Sequence, residues 1–376
     1  MKIVYCILGT YNSGGMERVL ANKSNYLVSK GFEITIITTD QKSRTPYFKF
    51  DDRINHIDLG VNYTEDLNKG IIARVFSYLK KQNKHRKELA EVLHNIKPDI
   101  TISMFDNDAS FITKINDGSR KILEIHFSRF KRLQYNRSGI FKLIDKYRSK
   151  KDVDTVKLFD KFIVLTEEDK GYWGDLDNID VIPNANSFTS INQSNLANKQ
   201  VVAIGRFDYQ KGFDDLLQVW AIVTKMYPDW RLRIYGHGPL KSKFEKLIIS
   251  LKIQNHVQLM EPTKDIIDVY QESSILAMTS RYEGLPMVLL EGQVCGLPLV
   301  SYSCKCGPKD VITDGYNGFL VQEGAIENMA NKIMVLIEDE ELRRKMGYHS
   351  FLNSANFSED QVMKKWIDLF NQTLAV

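Results

Sequence analysis

Val201-Val-Ala-Ile-Gly-Arg-Phe-Asp-Tyr-Gln-Lys-Gly212 begins as a short apolar run, leaves it at Gly205, and carries two cations on the polar residues that follow. A short apolar run that ends on a glycine reads as a buried strand leading into a turn. A strand followed by a helix is half of a parallel βαβ unit, and the same alternation recurs to either side. Downstream, strands are predicted at 231–235, 257–260, 275–278, 299–301 and 319–321, each followed by a helix or a tight turn. Upstream they are predicted at 3–8, 33–38, 99–104, 121–126 and 161–166, with helices over 14–30 and 71–93.

The two series are separated by Pro183-Asn-Ala-Asn-Ser187 and by the polar stretch 191–199, which carries few apolar residues. A chain of 376 residues exceeds what one core usually organises, so two α/β domains are expected. The boundaries are placed at 1–186 and 187–357. A final amphipathic helix opens on Ser358-x-x-Gln361, a capping-box pattern, and is expected to return to the first domain.

Hydrophobic residues make up 43% of the chain and charged residues 26%, which excludes a disordered or fibrous protein. The net charge of +4 is too small to imply nucleic acid, and no nucleic-acid motif is present. Four cysteines, Cys6, Cys295, Cys304 and Cys306, form neither a disulfide framework nor a zinc pattern, and they fit a reducing cytoplasm. The first apolar run is six residues, 3–8, with no cleavage site after it, and reads as a strand. No stretch approaches the roughly 20 apolar residues that span a bilayer, so any membrane contact is expected to be peripheral.

Three segments carry chemistry. After the first strand, Asn12-Ser-Gly-Gly-Met-Glu-Arg18 leads into a helix, and adjacent glycines there open main-chain N–H groups to an anion. Plain turn chemistry is the bland alternative. Arg206 and Lys211 lie on the loop beyond a strand's carboxyl end, where open α/β sheets bind ligands, and two cations so placed could flank a diphosphate or merely be solvated. The third segment, Thr279-Ser-Arg-Tyr-Glu283-Gly-Leu-Pro-Met-Val-Leu-Leu-Glu291, puts one glutamate on a loop and a second inside a helix that starts near Pro286. Glu291 has apolar neighbours in Val288, Leu289, Leu290 and Val294, so burial there demands a partner.

Together these segments resemble the family 4 retaining glycosyltransferases of the GT-B fold over nearly the whole chain. The E-x7-E motif appears as Glu283 and Glu291. The Gly-Arg-x4-Lys-Gly segment appears as Gly205, Arg206, Lys211 and Gly212, and the Gly-Gly-x-Glu loop as Gly14, Gly15 and Glu17. The resemblance implies two Rossmann-like domains whose parallel sheets face each other across a deep cleft. Catalytic roles fall to Arg206, Lys211, Glu283 and His126: the two cations bind the donor diphosphate, Glu283 the sugar hydroxyls, and His126 lies beside the transferred sugar. Glu291 takes the ribose hydroxyls. Gly14, Gly15, Gly205, Gly236, Gly238, Gly284, Leu285, Pro286, Met287 and Val288 complete the donor site.

The implied chemistry uses no cofactor and no metal. The donor is a nucleotide diphosphate sugar, with Ser-Arg-Tyr-Glu-Gly284 and Cys306-Gly-Pro-Lys-Asp310 closest to members that use UDP-linked N-acetylhexosamines. Asp106-Asn-Asp108 has the Asp-x-Asp spacing of metal-dependent transferases, but the spacing recurs at Asp152 and Asp154 and at Asp175 and Asp177, as chance would have it. The acceptor is expected to be a glycan or polyprenyl-linked glycan. Segment 128–151 holds nine basic residues against one acid, Asp145, with apolar residues interleaved, which suits an anionic membrane surface on the inner face of the plasma membrane. Glu17, Arg129, Lys131, Arg132, Arg137 and Lys142 are the acceptor-side or membrane-facing candidates. A solvated helix packed on its own domain is the alternative. Rival functions are a non-hydrolysing sugar-nucleotide 2-epimerase and a non-catalytic sugar-nucleotide-binding subunit, though the latter would be expected to lose Arg206, Lys211 or Glu283.

Overall fold

The computed structural model describes residues 1–66, 70–131, 139–188 and 192–375. Ile191, where the polar boundary stretch begins, lies outside them. The chain divides into two compact units, Met1–Pro183 with Asp360–Val376, and Asn184–Glu359.

The first unit is a parallel seven-stranded sheet in the order β3-β2-β1-β4-β5-β6-β7. Its strands are β1 Lys2–Ile7, β2 Glu33–Thr38, β3 Asn55–Asp58, β4 Ile100–Ser103, β5 Arg120–Glu124, β6 Lys161–Val164 and β7 Ile179–Val181. β1, β2, β4, β5 and β6 fall where the apolar runs place them, because strands covered on both faces read as continuous apolar segments. β3 and β7 escape that reading. Both are edge strands; β3, Asn-His-Ile-Asp, is mostly exposed, and β7 is three residues long. An edge strand needs no apolar run, only backbone pairing on one side.

The second unit is a parallel six-stranded sheet, β10-β9-β8-β11-β12-β13. It is formed by β8 Gln200–Ile204, β9 Arg231–Tyr235, β10 Val257–Met260, β11 Ile275–Met278, β12 Leu299–Tyr302 and β13 Gly318–Val321. In both sheets the chain builds outward from a central strand, then returns and builds the other way. The reversal falls between β1 and β4 in one sheet and between β8 and β11 in the other. Loops leaving adjacent strands in opposite directions open a crevice at the carboxyl edge, the usual ligand position in such sheets.

The final helix, Glu359–Ala375, buries Val362, Met363, Trp366, Leu369 and Phe370 and belongs to the first unit. Tyr26 in the helix Gly15–Ser29 donates its hydroxyl to Asp360 Oδ1 at 2.8 Å, tying the returning helix down.

In the second unit, Phe207 anchors the loop after β8. Its ring is fully buried and meets Phe213 and Phe244 edge to face, with centroids 5.9 and 5.8 Å away. Gly236, at the end of β9, is a glycine because a Cβ there would stand 1.8 Å from the Gly205 carbonyl oxygen. The loop is thus wedged between an aromatic cluster and a glycine turn. Truncating Phe207 to Ala should lower unfolding free energy by about 3–5 kcal/mol in denaturant titration. A loss below about 1 kcal/mol would mean that the loop is not anchored this way.

Candidate functional site

The loops after β8 and β11 are stapled together. Arg281 donates from its main chain to the Gln210 carbonyl at 2.8 Å and from Nη1 to the Tyr209 carbonyl at 2.7 Å. Its Nη2 reaches Asp214 Oδ1 at 3.0 Å and Asp215 Oδ1 at 3.2 Å, at the start of the helix Phe213–Met226. Gln210 Nε2 returns a bond to the Tyr282 carbonyl at 3.0 Å, and Thr279 Oγ1 donates to the Lys211 carbonyl at 3.1 Å. Gly212 has φ +60°, and a Cβ there would meet the Thr279 carbonyl oxygen at 2.2 Å, so the approach requires glycine.

That clamp brings Lys211 to Glu283. Nζ and Oε1 are 2.6 Å apart, with both side chains largely buried. An ammonium has three donors, and this pair uses one. Arg206 turns to its own loop instead, with Nη2 3.1 Å from both Asp208 Oδ2 and Gln210 Oε1, and its side chain is mostly exposed.

Glu291 lies inside the helix Met287–Val294 and is buried. Its Oε1 accepts from the Ser187 hydroxyl at 2.7 Å and its Oε2 from the Tyr270 hydroxyl at 2.7 Å. Two hydroxyl donors meet the demand that burial makes. Pro286 directly precedes the helix, and Leu285 is buried against Gly307, where a Cβ would come within 2.4 Å of Pro286 Cδ. Gly284 joins Glu283 to this segment, while Met287 and Val288 are half-buried. Gly236 and Gly238 both pack on the Gly205 to Phe207 backbone, so their lack of a side chain is already explained within the protein.

In the first unit, β1 leads to Gly14, just before the helix Gly15–Ser29. Glu17 in the first turn is buried, and its Oε2 lies 2.2 Å from where a Gly14 Cβ would stand. This carboxylate sits at a helix N-terminus, where the dipole favours negative charge. β4 exits beside the same loop: Asp106 Oδ2 accepts from the Leu8 main-chain N–H at 2.7 Å. Burial pushes the Asp106 carboxyl up to about 6, opposed by the Leu8 bond and Lys131. Burial also pushes Asp108 up to about 7, and Asp106 adds to the rise. His126 stands two residues past β5, with Nε2 3.1 Å from Glu124 Oε1.

Among known proteins, the glycosyl transferases group 1 family matches residues 186–351. An uncharacterized glycosyltransferase of Haemophilus influenzae is 31% identical over 369 residues, 97% of this chain and 98% of that protein. The chain belongs to the group 1 glycosyltransferases. The amylovoran biosynthesis glycosyltransferase AmsD of Erwinia amylovora is 29% identical, covering 98% of this chain and 99% of that one. A Staphylococcus aureus TarM variant, solved with UDP, fondaparinux and α-GlcNAc-glycerol, superposes with TM-score 0.80 at 18% identity, covering 98% and 99% of the two chains. The fold is therefore the GT-B type, and the protein is a glycosyltransferase.

For this glycosyltransferase the basic segment divides. Arg129 is tied to its own domain: its main chain donates to Asp169 Oδ1 at 2.7 Å, Nη1 donates to Ser149 Oγ at 2.5 Å, and the guanidinium lies 4.7 Å from the Trp173 ring centre. Lys131 rests on the Phe127 ring at 3.9 Å. Arg132, Leu133, Tyr135 and Arg137 lie outside the described residues, as do the side chains of Ile140 and Phe141. The helix Ile140–Val156 exposes Lys142, Leu143, Ile144, Lys146, Tyr147 and Arg148 together and buries Asp145 and Ser149. No helix among the described residues is long and apolar enough to cross a membrane.

Sequence reading passed over Arg281, Asp214, Asp215, Tyr270 and Ser187. Only Arg281 carried a signal, as a cation two residues before Glu283 beside a loop that would need holding.

The raised Asp106 and Asp108 carboxyls have a sign. The folded state holds their protons above the pH at which the unfolded chain releases them, so their ionisation costs stability as pH rises from about 4 to about 7. Asp108→Asn should therefore raise the melting temperature more at pH 8 than at pH 5. Equal shifts at both pH values would mean that the Asp108 carboxyl ionises normally.

Proposed function

We propose that the protein is a retaining family 4 enzyme that moves a hexose or N-acetylhexosamine from a UDP-linked donor to a glycan or polyprenyl-linked acceptor during assembly of a surface polysaccharide. The observation that carries the reading is the Lys211–Glu283 pair at the carboxyl edge of the second sheet, with Glu291 in the following helix. Among the described residues Lys211 Nζ spends one N–H on Glu283, which leaves two for a diphosphate, and the exposed Arg206 fork can swing onto it. Glu283 keeps an oxygen for sugar hydroxyls. Glu291, oriented by Ser187 and Tyr270, accepts from ribose hydroxyls.

Negative charge accumulates on the diphosphate as the glycosidic bond lengthens, and fixed cations in a partly buried site stabilise that change more than they stabilise the ground state. The acceptor hydroxyl then attacks the face the diphosphate leaves, and a departing phosphate oxygen takes its proton. Side-chain cations supply the charge that a metal supplies in other transferases. The name of the amylovoran enzyme and the UDP in the TarM structure support the polysaccharide role and the donor. The helix Ile140–Val156, with Leu143 and Tyr147 exposed among lysines, suits contact with an anionic membrane surface bearing a lipid-linked acceptor.

Lys211→Ala should cut turnover about a hundredfold or more, measured as UDP release, while shifting the melting temperature by a few degrees. Unchanged turnover would remove the diphosphate assignment. Incubation with UDP-GlcNAc alone separates the epimerase alternative, since an epimerase makes a second sugar nucleotide and a transferase gives at most slow hydrolysis. Activity should survive excess EDTA, and loss restored by manganese would overturn the metal-free chemistry.

A further inference from the structure

The first unit buries a charged pair that donor binding leaves unused. Lys23, in the helix Gly15–Ser29, is 4% exposed, and its Nζ donates to Glu124 Oε1 at 2.5 Å. Glu124 closes β5 and is 1% exposed. The helix Glu359–Ala375 lays the Trp366 ring 3.7 Å from the Lys23 ammonium, and Tyr5 of β1 lies 5.7 Å from it on another side. An ion pair this deep rarely stabilises a fold more than apolar side chains of the same size, so stability does not account for it.

What the pair touches is His126. Its Nε2 stands 3.1 Å from the same Glu124 oxygen, and its side chain is 6% exposed. That contact is not aligned as a hydrogen bond, and such bonds often tighten only when substrate binds. Glu124 Oε2 is buried without a hydrogen-bond partner among the described residues, leaving acceptor capacity for the ring. His126 Nδ1 likewise has no partner among them, the condition of a polar atom whose partner is a ligand or a water. Burial alone would raise the Glu124 carboxyl, but Lys23 and His126 outweigh it and hold the carboxyl at about 2. A carboxylate is an acceptor only, so the ring edge facing it must present an N–H.

We propose that Glu124 is a positioning residue for His126, held by Lys23 beneath the Trp366 face, so that the imidazole turns Nε2–H to the carboxylate and keeps Nδ1 for the bound sugar. The role of the returning C-terminal helix then extends beyond closing the core: it covers the cation that keeps Glu124 charged. The proposal rests on His126 lying beside the transferred sugar.

Removing one partner alone would strand a buried charge, so the test uses the double variant Lys23→Met/Glu124→Gln in the full chain. The double variant should fold with a melting temperature near the native one and bind UDP within about twofold, because the charged side chains expected to hold UDP, Arg206, Lys211 and Glu291, lie in the other unit. Its kcat for UDP release should fall about 10- to 100-fold with donor KM little changed. Long-range nitrogen NMR on histidine-labelled protein should find His126 as the Nε2–H tautomer in the native enzyme and a mixture in the double variant. Lys23→Arg, which preserves the pair, should keep both the tautomer and most of the turnover. Native turnover in the double variant, or lost turnover with the tautomer unchanged, overturns the proposal. If His126→Ala is fully active while the tautomer shift is still seen, the placement of His126 at the sugar fails and the positioning contact itself stands.

Discussion

Burying a carboxylate is costly unless a donor or cation meets it, and this glycosyltransferase buries several at the carboxyl edges of its two sheets. Glu283 is met by Lys211, Glu291 by two hydroxyls, and Glu124 by Lys23. Each pairing holds an acidic side chain in one orientation. The rest of the second unit follows from that need. Lys211 reaches Glu283 only because Arg281 clamps two loops together, and the loops lie side by side only because β8 and β11 are neighbours.

The same logic runs through the first unit with different chemistry. There the loop after β1 ends in glycines that accommodate the Glu17 carboxylate at a helix start, and Asp106 ties the exit of β4 to that of β1. Both units thus concentrate charge at the point where the strand order reverses, with apolar layers beneath. Phe207 shows how closely the two are joined, since one fully buried ring supports the loop on which Arg206 and Lys211 stand.

Legibility in the sequence tracked burial. Strands covered on both faces were readable as apolar runs, whereas β3 and β7, at the sheet edge, were not. The burial of Glu291 and its need for a partner were readable from its apolar neighbours, whereas the pairing of Lys211 with Glu283 came from the fold. Ser187 and Tyr270 were not readable, since a serine on a polar loop and a tyrosine in a short helix look ordinary until the fold sets them against Glu291. The basic segment was readable as charge but not as structure. Arg129 belongs to the packing of its own domain, while Lys142 stands on an exposed helix face.

Local pattern alone determined the alternation of strand and helix, the division into two α/β units, the return of the last helix as an amphipathic element, and the motif-bearing loops. Those properties depend on residues close in the chain, where apolar periodicity and turn chemistry act. Tertiary structure decided strand order, and with it which loops became neighbours. It also decided that Lys211 rather than Arg206 pairs with Glu283, and that Trp366 covers a lysine more than 300 residues away in sequence. Such contacts depend on the three-dimensional path of the chain, and no spacing within the sequence encodes the distance between two side chains that only the packed sheets bring together.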